Sequence, residues 1–205
     1  MGSFDSAVSM LDEMKKRGIE PDLITFNTLL NGSYVKGQFL DGENMWELMT
    51  TKNVVPDIKS YNAKLLGLAL EKKTKEAVEL VEEMKKKEVK PDQFSFNALI
   101  KGYVNEGNLE QAKLWYTEIV KNERSPDKKT FETLLPFVCE RGEVGLASEL
   151  CKDIFKGKVL VDISVLQLAV DGLVKESKIE EAKELVEFGK TNRYCRYSLT
   201  LPSDV

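Results

Sequence analysis

Apolar residues recur three and four positions apart in blocks of roughly a dozen, separated by short polar breaks, which is the signature of amphipathic helices rather than strands. From Ser95, placed to cap a helix start, through Asn105, the residues Phe96, Leu99, Ile100 and Tyr103 share one helical face. Gly107 and Asn108 interrupt it. A second block from Leu109 to Asn122 carries Ala112, Trp115, Tyr116 and Ile119 on one side, and Pro126 stops it because proline has no amide hydrogen for a continuing ladder. The spacing therefore predicts two helices joined by a tight turn.

This hairpin is one of a series. Pro21-Asp22, Pro56-Asp57, Pro91-Asp92 and Pro126-Asp127 recur every 35 residues, and Val161-Asp162 continues the column. Five residues after each Asp stand Asn27, Asn62, Asn97, Glu132 and Gln167, each preceded by an apolar residue: Phe26, Tyr61, Phe96, Phe131 and Leu166. Glycine follows at Gly32, Gly67, Gly102 and Gly172, with Phe137 as the exception. A small residue near each second-helix start, at Ala7, Gly42, Ala77, Ala112, Ala147 and Ala182, allows close helix packing. So many columns at one period mark an internal repeat.

A hairpin of this size cannot bury its apolar face alone, but stacked neighbours can. The expected fold is all-α, a right-handed α-solenoid of 35-residue helix-turn-helix repeats. The expected divisions are a second-helix half-unit at 4–22, repeats at 23–57, 58–92, 93–127 and 128–162, a degenerate unit at 163–188, and a tail at 189–205. The half-unit lacks a first helix, so the numbered chain is expected to begin inside a longer array. The tail carries Lys190, Arg193 and Arg196 against Asp204, interleaved with Tyr194 and Tyr197, and is expected to be an exposed, extended arm available to a partner.

The net charge of −4 argues against a simple electrostatic grip on phosphates. Its distribution is uneven: the five predicted first helices hold eight Lys and Arg against six Asp and Glu, a net +2 that leaves −6 for the rest. Cys139, Cys151 and Cys195 have no paired spacing, and the chain has no histidine, so free buried thiols are expected instead of zinc ligands. No apolar run approaches the roughly 18 residues of a membrane helix, and no membrane partner is expected. Zinc-deaminase, phosphate-loop and nucleophile-elbow motifs are lacking, so neither an enzyme, nor a cofactor, nor a small-molecule substrate is expected. Residues 1–5 resemble neither a secretory signal nor a transit peptide.

Thr-Phe-Asn-Thr-Leu-Leu at 25–30, Ser-Phe-Asn-Ala-Leu-Ile at 95–100, Glu-Ala-Val-Glu-Leu-Val-Glu-Glu-Met at 76–84 and Val-Lys-Pro-Asp at 89–92 resemble the pentatricopeptide repeat, in its 35-residue P-type form. The narrower likeness is to small plant mitochondrial members, some of them components of the mitochondrial ribosome. The resemblance implies single-stranded RNA running along the first helices, one base per repeat. It implies reading pairs Asn27 with Asp57, Asn62 with Asp92, and Asn97 with Asp127, a combination that favours uracil in this family. Glu132 with Asp162 departs from the common pairs, and Gln167 has no recognisable partner. The base-clamping column is implied to be Ile24, Lys59, Phe94, Lys129 and Ser164, where the family usually carries Val or Ile; its lysines could instead meet phosphates, and Lys101 joins them as a basic first-helix residue.

Other readings of the same residues stay open. The Asn column could bridge neighbouring helices, and the Asp column could cap helix starts as well as read bases. Lys85-Lys86-Lys87 fits a solvated helix end better than a phosphate clamp, whereas Lys72, Lys73 and Lys75 lie nearer the inner rim. Trp46, Trp115, Met49 and Met84 read as core. Stacking of about 1–3 kcal/mol per base over three reading pairs corresponds to roughly millimolar to micromolar affinity, too weak for a selective reader by itself. The expected role is therefore an RNA-binding component of an organellar ribonucleoprotein, with other proteins as partners, in the mitochondrion first and the chloroplast second. The alternatives are a free organellar mRNA processing, stability or translation factor, and a protein-binding scaffold.

Overall fold

In the computed structural model, residues 3–192 and 197–202 are described. Among them are eleven α-helices and no strand, in two compact units, Met1–Glu106 and Gly107–Val205. The first unit holds α1 (Ser3–Lys16), α2 (Leu23–Val35), α3 (Phe39–Thr51), α4 (Ile58–Leu70), α5 (Thr74–Lys86) and α6 (Gln93–Glu106). The second holds α7 (Leu109–Lys121), α8 (Lys128–Glu140), α9 (Val144–Lys156), α10 (Ile163–Lys175) and α11 (Ile179–Thr191). Within each unit, antiparallel hairpins stack on one another in the manner of an α-solenoid. In the first, α4 lies between α2 and α6, with α3 and α5 behind. In the second, α10 packs on α8 and α9, and α11 packs on α10.

The helices start and stop by repeated chemistry. Asp22, Asp57 and Asp127 cap α2, α4 and α8, each accepting an amide hydrogen from the residue three positions on. Ser60 and Thr130 return a hydroxyl to the capping backbone, completing a capping box. The same exchange at α6 joins Asp92 and Ser95, so Ser95 is not the cap expected from the sequence. It is the third residue of the helix, wholly buried, and Asp92 accepts from its amide. Asp162 is the exception in the column, making no side-chain cap. Most helices end on a residue of positive φ, with its amide bonded three residues back and the following amide bonded five back, as in Lys72 to Ala69 and Lys73 to Leu68.

The core lies between the two helical layers. Tyr34 is its centre in the first unit: its ring is wedged between Gly42 of α3 and Gly67 of α4, and its hydroxyl donates to Glu43 at 2.6 Å. A Cβ at either glycine would overlap that ring. Met49 and Met84 are buried as expected, but Trp46 and Trp115 are half-buried, with Trp46 edge-on to Tyr61 at 5.2 Å and Lys64 over its face. Cys139 and Cys151 are free thiols, and burial pushes the Cys139 thiol up to about 11.

The tail corrects an expectation. Residues 197–202 lie back on the chain instead of extending as an exposed arm: Tyr197 and Leu199 are 8% and 2% exposed. The Tyr197 ring meets Phe155 at 5.8 Å, its amide donates to the Gly189 carbonyl, and its hydroxyl accepts from Val161 N and donates to Val159 O. Burial of two large apolar side chains is the physical reason, since it outweighs the freedom of a loose end. Arg193, Tyr194, Cys195, Arg196 and Asp204 lie outside the described residues.

Candidate nucleic-acid interface

In the first unit, the predicted pairs Asn27–Asp57 and Asn62–Asp92 are directly bonded. Asn27 Nδ2 donates to Asp57 Oδ1 at 3.0 Å, and Asn62 Nδ2 donates to Asp92 Oδ1 at 3.0 Å. A third residue completes each pair: Ser60 Oγ donates to Asn27 Oδ1, and Ser95 Oγ to Asn62 Oδ1, both at 2.6 Å. Each serine has one hydroxyl proton, and the amide oxygen is its nearest acceptor. These bonds fix the side chains, because a reversed amide would set oxygen against the carboxylate and NH₂ against the hydroxyl. Repetition of one network at the two positions is what a 35-residue period should produce.

The network leaves a defined set of groups unspent. Each Asn keeps one N–H and one lone pair of its carbonyl, a donor beside an acceptor. Among the described residues, the hydrogen bonds that Asp57 and Asp92 accept fall on Oδ1, which leaves Oδ2 as an acceptor. Burial alone would raise the Asp57 carboxyl, but hydrogen bonds from Ser60, Asn27 and Lys59 outweigh it and hold the group below its ordinary value. Asp57 is therefore an anion that both caps α4 and orients Asn27, so the capping and reading assignments for this column are compatible.

These residues open onto a trough of about 660 Å³, lined among others by Ile24, Asn27, Asp57, Lys59, Asn62 and Phe94. Ile24 and Phe94 stand 74% and 49% exposed. Such large apolar groups are placed where a flat ring could cover them. Between them, the Lys59 ammonium makes no ion pair or hydrogen bond among the described residues. Other lysines are committed elsewhere: Lys64 is paired with Glu43 at 2.7 Å, Lys73 sits over the Phe39 ring at 4.0 Å, and Lys85 and Lys87 pair with glutamates on their own helix. Lys101 sits one turn beyond Asn97 on α6 and is not among the lining residues. Asn31 and Thr28, which sequence reasoning did not single out, line the floor.

In the second unit the cap is kept at Asp127, and the columns depart at Glu132, Asp162 and Gln167. Asp127 accepts from Thr130 N and caps α8. Lys129 is exposed beside it. Lys128 lies 3.3 Å from Glu132 and 3.4 Å from Asp162, so the departing pair of the column is bridged by a cation instead of a direct bond. Gln167, which has no partner in the reading column, exchanges two hydrogen bonds with the backbone of Thr200 and donates to Asp171.

The family model described as PPR repeat family matches residues 1–35, 56–105 and 91–140, and the PPR repeat model matches 24–54. The chain belongs to the PPR repeat family. It is 53% identical over 47 residues to the Arabidopsis thaliana small ribosomal subunit protein mS79 (rPPR3b), a match that covers 23% of this chain and 12% of that protein. In fold it is similar to the pentatricopeptide repeat protein PPR10 from maize, with TM-score 0.70, 22% identity, and cover of 89% of this chain and 26% of that one. PPR10 has also been solved with an 18-nt psaJ RNA element. The PPR domain of Arabidopsis thaliana protein-only RNase P 1, solved with tRNA, gives TM-score 0.63 at 18% identity over 88% of this chain and 90% of that one. This chain thus spans only a minor part of the curated relative and of PPR10.

Within this PPR array the residue that sequence reasoning missed is the serine. A hydroxyl recurs 33 residues after each Asn, at Ser60, Ser95 and Thr130. The column was visible, but its capping role concealed the second bond that Ser60 and Ser95 make across the repeat boundary.

Proposed function

We propose that this PPR chain binds single-stranded RNA along its first helices, with Asn27–Asp57 and Asn62–Asp92 each facing one base and uracil preferred. The duplicated Asn–Asp–Ser network beside an apolar-walled trough carries this reading. It supplies a pre-oriented donor and acceptor for a base edge without first having to order the side chain. Ile24 and Phe94 cover base faces, while Lys59, Lys101 and Lys129 meet phosphates. By their places in the repeat, Asn97 and Asp127 belong to the same columns. The chain acts by binding and not by catalysis, without a cofactor.

The setting proposed is an organellar ribonucleoprotein, a plant mitochondrial ribosome, where protein contacts supplement weak base readout. The partial likeness to a small ribosomal subunit protein supports it. So does the net charge of −4, which limits free-solution affinity. The test is twofold. Oligouridine should bind several-fold more tightly than oligoadenosine, and Asn27→Ala with Asn62→Ala should erase the difference. The tagged chain should also co-sediment with a ribosomal subunit from plant mitochondria. Equal binding of both oligomers by wild type and variant would discard base reading; sedimentation only as a free protein would discard the ribosomal setting.

A further inference from the structure

The reading position of the last repeat is already occupied by the chain itself. Gln167 on α10 stands in the column of Asn27 and Asn62. Its Oε1 accepts from Thr200 N at 3.1 Å and its Nε2 donates to Thr200 O at 2.8 Å. Thr200 lies 33 residues after Gln167, the separation of Ser60 from Asn27 and of Ser95 from Asn62. The backbone N–H and C=O of one residue, Thr200, thereby supply what a serine hydroxyl and an aspartate carboxylate supply in the inner repeats. The second N–H of Gln167 goes to Asp171 Oδ1 at 2.8 Å, and the corresponding N–H of Asn27 and Asn62 has no such partner among the described residues. The terminal amide has spent both donors, and it has no donor–acceptor edge left to present.

The segment is anchored by more than these bonds. Leu199 packs against Gly189, where an added Cβ would come within 3.0 Å of it, and Tyr197 is fixed on Phe155 and the 159–161 backbone. We infer that residues 197–202 take the register of a following repeat and close the Gln167 position to nucleotide, so that α10 takes no part in base reading while they are seated. This rests on the RNA-binding reading above.

Three proteins test it: the full chain, a chain ending at Asn192, and full-length Leu199→Asp, which drives a charge into the buried contact without deleting the tail. Each is confirmed as folded by circular dichroism, and each is crosslinked to a 4-thiouridine-containing oligouridine. In the full chain, the Thr200 amide should be protected from hydrogen exchange and α10 should not crosslink. In both release variants α10 should crosslink, with a footprint one nucleotide longer and binding tightened roughly fivefold or more, as stacking of one added base provides. Unprotected Thr200, or equal α10 crosslinking in all three proteins, overturns the inference while Asn62-dependent binding still upholds the RNA reading. Absence of Asn62-dependent binding in every protein overturns both.

Discussion

At the residue scale, one column of the repeat can hide different physics. Gly32, Gly67 and Gly102 occupy equivalent positions, yet a Cβ at Gly32 would meet nothing within 4 Å, whereas at Gly67 it would overlap the Tyr34 ring. Gly67→Ala should therefore cost about 1–3 kcal/mol by overpacking. Gly32→Ala should stabilise by up to about 1 kcal/mol through helix propensity. Urea midpoints for the two variants should move in opposite directions. Asp57 gives a second residue-scale expectation. Its folded carboxyl is held below the ordinary 3.8, so the stability it contributes is present above the unfolded value and is lost as pH falls through the folded one. The stability difference between wild type and Asp57→Asn should be constant near neutrality and shrink below about pH 4, as chemical denaturation across that range would show.

At the element scale, helices of 13 or 14 residues are close to the length at which isolated helices are marginal. Capping and stacking therefore decide their ends. Six non-glycine residues, Asn53, Lys72, Glu88, Glu123, Lys158 and Ser177, take φ near +60° to close the helices. For an L side chain this conformation costs about 1 kcal/mol, and glycine escapes it. Ser177 is exposed and its hydroxyl makes no hydrogen bond among the described residues, so Ser177→Gly should raise the melting midpoint modestly; a fall would mean that the serine side chain stabilises the turn. Among the described residues, first and second helices alternate from α2 to α11. Pro136 lies inside α8 without ending it, a case in which packing on both faces overrides a local breaker.

At the scale of the whole molecule, a chain with net −4 that holds RNA must do so with few phosphate contacts. Each one contributes a slope of about −0.7 in log K against log salt for a single strand. Lys59→Ala should reduce that slope by roughly this amount while leaving the uridine preference intact; an unchanged slope would remove Lys59 from the phosphate set. The amino-acid order alone determined the helical class, the 35-residue period and the position of every repeated column, because a solenoid's contacts lie between neighbours at constant offsets and so leave a constant imprint. It also placed Asn27, Asn62, Asp57 and Asp92 as pairs, through resemblance to the family. Three things were decided only by folding: that serine hydroxyls lock the Asn amides, that Lys128 bridges Glu132 and Asp162, and that the tail seats Thr200 on Gln167. A linear pattern shows which side chains recur, but not which of several donors within reach an acceptor takes, nor whether a chain end gains more from burial than it loses in freedom. Those outcomes depend on competing distances and buried area, which exist only once the hairpins are stacked.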